Sequence, residues 1–157
     1  MNPIQPEHFT KALIDLLDET MDHTKGFYLD GGTSLFETLA TISAAEASIP
    51  VGGKCATLAA QVKHVAFHLE VVDKSVRDPS SPQADWTEVW RTVSQVTPDE
   101  WQAIQTELRR NYNRILTLIQ EFPAWPSDYE IGGAIAVIAH TAYHLGEIRQ
   151  ALCTLQA

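Results

Sequence analysis

Between positions 58 and 76, apolar residues fall at Leu58, Val62, Val65, Leu69, Val72 and Val76, in alternating steps of four and three. That spacing is the seam of a helix packed lengthwise on other helices. A strand cannot use it, because strand side chains change face at every residue. The seam predicts a helix over about 54–77, closed by Asp78-Pro79-Ser80-Ser81-Pro82. Phe9, Leu13, Leu16, Leu17 and Met21 predict another over 6–22. Thr33 or Ser34 can cap a shorter helix that runs to about Ser48 and stops before Pro50 and Gly52-Gly53. Thr97-Pro98-Asp99-Glu100 combines a capping threonine, a proline at the first helical position and acids in the first turn. It starts a helix whose stripe is Trp101, Ile104, Leu108, Ile115, Leu118 and Phe122. The last helix spans about 128–154 and, after Asp128 at its start, carries only Glu130, Glu147 and Arg149 as charges. Residues 83–97 read as a connector with one short helical turn, and nothing reads as a paired strand. The expected fold is all-α: an up-down-down-up four-helix bundle with a long crossover and short extra helices, residues 1–157 forming one domain.

Charge narrows the partners. Lys and Arg number 11 against 20 Asp and Glu, a net charge of −9. Nucleic acid and anionic membrane both demand a basic face, so neither is expected. Cys55 and Cys153 make no disulfide framework or zinc cluster, and two reduced thiols suit a cytoplasmic protein. Met1 to Thr10 lacks the basic patch and apolar run of a secretory signal, and no apolar stretch reaches the ~18 residues of a membrane span.

Against this plain background stand six histidines, four of them in the pairs His64-x-x-x-His68 and His140-x-x-x-His144. Chance placement gives only ~0.2 such pairs. Spacing of four puts both rings on one helix face, one turn apart, where two nitrogens can converge on one ion. At ~100° per residue, Lys63, Glu70, Asp73, Lys74 and Arg77 gather in a sector expected to face water. The opposite sector holds Thr57, Gln61, His64, His68, Val72 and Ser75. On the last helix, His140, His144 and Glu147 lie opposite Ala139, Ala142 and Gly146. Both pairs can therefore point inward. Buried imidazoles need partners. Hydroxyls such as Thr57 or Ser75 are one solution and a metal ion is the other. Neutral imidazoles suit Zn, Ni, Fe or Cu, and not Mg or Ca. His-Glu-x-x-His and Glu-x-x-His, the marks of other metal sites, are absent.

The segment from Cys55 to Leu69, containing Val62-Lys-His64-Val-Ala-Phe-His68, resembles the second bundle helix of the DinB-like (DinB/YfiT) superfamily. His140-Thr-Ala-Tyr-His144-Leu-Gly-Glu-Ile-Arg-Gln150 resembles that family's last helix, and the stretch from Asp85-Trp86 to Trp101 its connector. The resemblance implies a four-helix bundle, commonly a homodimer, with a divalent metal held by one histidine of the second bundle helix and two of the last. Carried over, the ligands are His140, His144 and, by motif alignment, His64, with His68 as an alternative third or fourth ligand. Glu147 stands where the family usually has glutamine.

Three imidazoles leave an open position on the metal, the arrangement of catalytic sites, where water acidifies toward pH ~7. Members of the superfamily include thiol-dependent transferases, a thiol-dependent isomerase and metal-dependent hydrolases. The expectation is a metal-dependent enzyme acting on a small molecule, by hydrolysis or thiol transfer. The alternative is a non-catalytic metal-binding dimer in a stress or sensing role. Glu147, one turn beyond His144, could be a catalytic general base, a fourth ligand, a brace for a ligand histidine, or a partner of Arg149 or Lys63. Tyr143 is expected to pack at an interface, Asp30 and Glu37 to be solvated, and Trp86, Trp90, Trp101 and Trp125 to pack in the core and crossovers.

Overall fold

The computed structural model describes residues 4–122 and 124–156, and all regular secondary structure among the described residues is helical. α1 (Pro6–Met21) starts on a proline and buries Leu13, Leu17 and Met21. The short helix expected to run from 34 to 48 is two: α2 (Leu35–Leu39) and α3 (Ala44–Ala47). Each has its own capping box, Ser34 with Glu37 and Ser43 with Glu46. The second cap restarts the helix after a break at residues 40–43. A 3₁₀ turn, η1 (Val51–Gly53), follows, in which Gly52 and Gly53 take left-handed φ values of 59° and 75°. That turn delays α4 (Leu58–Arg77) beyond the expected start at 54, and Thr57 caps it by accepting from the Ala60 N–H. α5 (Glu88–Thr92) is the turn foreseen in the connector. α6 (Pro98–Glu121) opens on the Thr97–Glu100 capping box, and α7 (Asp128–Leu155) on Ser127.

The long helices pack in pairs: α4 lies on α6 and α7, and α1 lies on the same two helices. Their shared core is apolar. Leu58, Val62, Val65 and Leu69 of α4 meet Leu108, Tyr112 and Ile115 of α6, Val137, Leu145 and Ile148 of α7, and Leu17 and Met21 of α1. The α4 seam weakens toward its end, where Val72 is partly buried and Val76 is 41% exposed. Ser75, expected inward, is exposed there too.

The sector of α4 expected to face water does so only in part, because it borders α6. Asp73 is buried and accepts from the Arg77 Nε at 2.7 Å, while Arg77 also reaches Glu121 of α6. Lys63 pairs with Glu107 of α6 at 2.6 Å. Charges that looked solvated from helical spacing alone are compensated across a helix–helix contact.

One buried carboxylate holds the first crossover. Glu19 is fully buried on α1 and accepts backbone N–H bonds from Phe27 (2.9 Å), Tyr28 (3.0 Å) and Leu29 (2.8 Å). Burial alone would raise its pKa, but these donors outweigh burial and hold the group below its usual 4.5. The stability Glu19 contributes is thus present above about pH 4.5 and is lost as pH falls through the lowered folded value. In Glu19→Gln an amide NH2 must face a backbone N–H. We expect a loss of about 2–4 kcal/mol in urea unfolding at pH 7, from leaving buried donors unpaired. A loss below about 0.5 kcal/mol, typical of surface changes, contradicts this role.

Candidate metal centre

α4 and α7 each carry three polar residues to the contact between them: Gln61, His64 and His68 from α4, and His140, His144 and Glu147 from α7. The apolar seams on either side fix the two helices, so the polar face of one meets the polar face of the other. His64 and His144 are buried, 8% and 6% exposed, and His68 and His140 are partly buried.

Three of the four histidines converge. One ring nitrogen each from His64, His140 and His144 lies within 4.8 Å of the others. The Nε2 atoms of His64 and His140 are 3.2 Å apart. Ligand bonds of 2.0–2.1 Å in tetrahedral geometry give a nitrogen–nitrogen edge of about 3.3 Å, so the pair is already spaced for one ion. His144 is oriented from behind. Its Nδ1 lies 2.9 Å from Glu147 Oε2 and 3.1 Å from Gln61 Oε1. Both are acceptors, so Nδ1 carries the proton and Nε2 keeps its lone pair. A carboxylate behind a ligand histidine is the usual way a metal site fixes ring and tautomer.

His68 does something different. It stacks flat on His140, centroids 3.8 Å apart and planes 18° from parallel, and its other neighbour is Trp86 at 5.9 Å. It is not among the converging donors. Of the two α4 histidines, His64 is the one whose ring nitrogen lies with those of His140 and His144.

The donor set fits a transition metal on two further observations. His64 and His140 meet through Nε2 at 3.2 Å, where one proton or one cation can join the two lone pairs; the buried Nδ1 atoms of His64, His68 and His140 have no partner among the described residues and would keep none with an ion at Nε2. Thr57 does not serve them, since its hydroxyl is spent on Ser94 and on capping α4. The rings are also neutral at pH 7. Burial is the largest cause in each, pushing His64 and His68 down to about 4 and His140 to about 3. Burial lowers His144 as well, opposed by Glu147. Neutral imidazole is the ligating form.

Other candidates fall elsewhere. Glu37 is engaged by Ser34 and Thr24 in the α2 cap, and Asp30 is exposed in the first crossover. Lys63 and Arg149, offered as partners for Glu147, bond Glu107 and Thr38 instead. Asp18, Asp22 and His23 also lie close together. Asp18 is held by Lys25 and the Tyr112 hydroxyl, and Asp22 by Arg109, so this cluster is a compensated surface network. Two residues at the histidines, Gln61 and Trp90, were not expected to take part in the site. Gln61 had a signal, its place in the polar sector three residues before His64. Trp90, 4.5 Å from His64 and 6.4 Å from His144, had none, because a connector gives no register from which to place it.

The metal-free protein should be acid-labile in a defined window. The folded histidines titrate below the unfolded value of 6.5, so proton uptake does not separate the two states at pH 7, where both are neutral. As pH falls from 6.5 toward 4, the unfolded chain takes up protons that the folded chain does not, and stability drops. Urea unfolding of chelated protein at stepped pH should show this drop, with about one proton taken up per buried histidine. His68→Phe should make it shallower. Stability independent of pH from 6.5 to 4.5 contradicts the buried, neutral assignment.

Compared with protein-family models, curated proteins and solved structures, the chain matches none, so the chemistry of the site is read from its own residues.

Proposed function

We propose that this chain is a DinB-like metalloprotein: an up-down-down-up four-helix bundle that holds one divalent transition-metal ion, zinc, nickel or iron, on His64, His140 and His144. It acts on a small molecule, by hydrolysis or thiol-dependent transfer. The observation that carries the reading is the convergence of three neutral imidazole nitrogens within 4.8 Å, one of them braced by a carboxylate. The four long helices and their contacts support the bundle.

Bound there, the ion would supply Lewis acidity at an open position. The chain's own residues do the rest. His64 and His140 hold their lone pairs toward a common point. Glu147 keeps the proton of His144 on Nδ1 and so keeps Nε2 free. The Glu147 side chain is also 36% exposed, so the same carboxylate reaches solvent and can take a proton from a substrate entering there. A net charge of −9 supports a small-molecule partner over nucleic acid. Among the described residues no helix is long and apolar enough to cross a membrane. Two free, exposed thiols, Cys55 and Cys153, favour the reducing cytoplasm.

A homodimer through α7 belongs to the same proposal. From Ile131 to Gly146 the helix has no charged residue. Its outer side exposes Tyr129 (81%), Ile135 (49%) and Tyr143 (62%), with Gly132, Ala136 and Ala139 exposed beside them. Such a face invites close packing of a second helix.

Elemental analysis after metal loading and desalting should give about one zinc or nickel per chain. His64→Ala, His140→Ala and His144→Ala should each weaken binding at least ~100-fold, Glu147→Gln by ~10–100-fold, and His68→Ala far less. Loss of metal in His68→Ala with retention in His64→Ala overturns the ligand set. Light scattering should give about twice the 17.4 kDa chain mass, and a value of 17.4 kDa at micromolar concentration contradicts the dimer.

A further inference from the structure

The four tryptophans divide into two kinds. Trp101 is 4% exposed and its indole N–H donates to the Ile42 carbonyl at 2.9 Å. Trp125 stacks on Phe122, meets Phe9 edge-on, and donates to the Thr10 hydroxyl. Both are accounted for by packing. Trp86 and Trp90 are not. They are 42% and 41% exposed, and among the described residues neither indole N–H has a partner. Both rings sit at the histidines: Trp90 at 4.5 Å from His64, and Trp86 at 5.9 Å from His68 and 5.7 Å from Phe67. The connector that carries them is pinned. Arg91 and Thr87 bond Asp85 beside Trp86, and Thr57 of the α4 cap bonds the Ser94 carbonyl beyond Trp90. The two indoles are thus large, flat, half-wet surfaces fixed at the edge of a cation site.

Three neutral imidazoles would bring no negative charge onto a divalent ion, and Glu147 stands behind His144 and not on the ion, so an open position there would favour an anionic donor. We propose that Trp86 and Trp90 form an aromatic binding rim beside the triad, which takes a small ligand with an anionic, metal-binding head and a flat aromatic body. The proposal rests on the metal site described above. The head reaches the ion and the body lies along the exposed indole of Trp90, with Trp86 extending the wall.

Isothermal titration of cobalt(II)-loaded protein with benzohydroxamate and with acetohydroxamate tests this, since the two share a head and differ only in the flat body. The visible cobalt spectrum reports the head at the metal. Benzohydroxamate should bind at least ten-fold more tightly. Trp90→Ala should reduce that advantage to about two-fold, leaving cobalt stoichiometry and acetohydroxamate affinity unchanged, and Trp90→Phe should keep most of it. If Trp90→Ala does not fold, Trp86→Ala carries the test and should lose part of the advantage. Equal affinities for wild type, an advantage that survives both alanine variants, or a cobalt spectrum untouched by either hydroxamate overturns the rim and leaves the metal site standing. Failure of wild type to bind cobalt through the histidines overturns the site itself and the rim with it.

Discussion

An imidazole moved from water into a helix–helix contact gives up hydrogen bonds at both ring nitrogens, and only the partners it meets there can offset the loss. Between α4 and α7 four such rings share one contact. His144 finds Glu147 and Gln61, and His64 finds His140. Three Nδ1 atoms find nothing among the described residues. The arrangement persists because the apolar seams around it are strong enough to hold the helices regardless. Val62, Val65 and Leu69 on α4, with Val137, Leu145 and Ile148 on α7, are almost wholly buried. The core does not need the histidines, and the histidines are not satisfied by the core. A cation at the Nε2 atoms of His64 and His140, which face each other at 3.2 Å, would offset part of the cost of burying the rings, while their Nδ1 atoms would stay unpaired.

The same tension explains what was legible beforehand. Long helices announce themselves by spacing, and α1, α4, α6 and α7 lie close to where apolar stripes and caps put them, because a stripe of five or six side chains has one helical solution. The i, i+4 histidine pairs were legible for the same reason, since helical spacing decides which rings share a face. What spacing cannot supply is the neighbour. Asp73 sits in a charged sector that reads as solvated, and is buried, held by Arg77, which itself reaches across to Glu121 of α6. The choice between His64 and His68 turns on which ring stacks on His140 and which turns its nitrogen toward it. Both are tertiary facts that one turn of helix leaves undetermined.

The crossovers were the least legible and carry much of the site's definition. No periodicity singles out Glu19, a carboxylate on the buried face of α1, until the backbone of residues 27–29 folds over it. The break at residues 40–43 depends on a second capping box, Ser43 with Glu46, that competes with simple continuation. Trp86 and Trp90 lie on a connector whose path is set by side-chain bonds at Asp85 and Ser94, and no hydrophobic pattern specifies those. Helices position the histidines, while irregular segments decide what approaches them.

In the proposed site His64, His140 and His144 close on one ion, with His68 outside the set. Anomalous diffraction from crystals of zinc-loaded protein at the zinc edge tests it directly. We expect one strong peak per chain, about 2.0–2.1 Å from a nitrogen of each of the three and beyond bonding distance of His68. A peak bonded to His68 in place of His64, a peak at Asp18, Asp22 and His23, or no peak among the four imidazoles at full zinc occupancy in solution would contradict it.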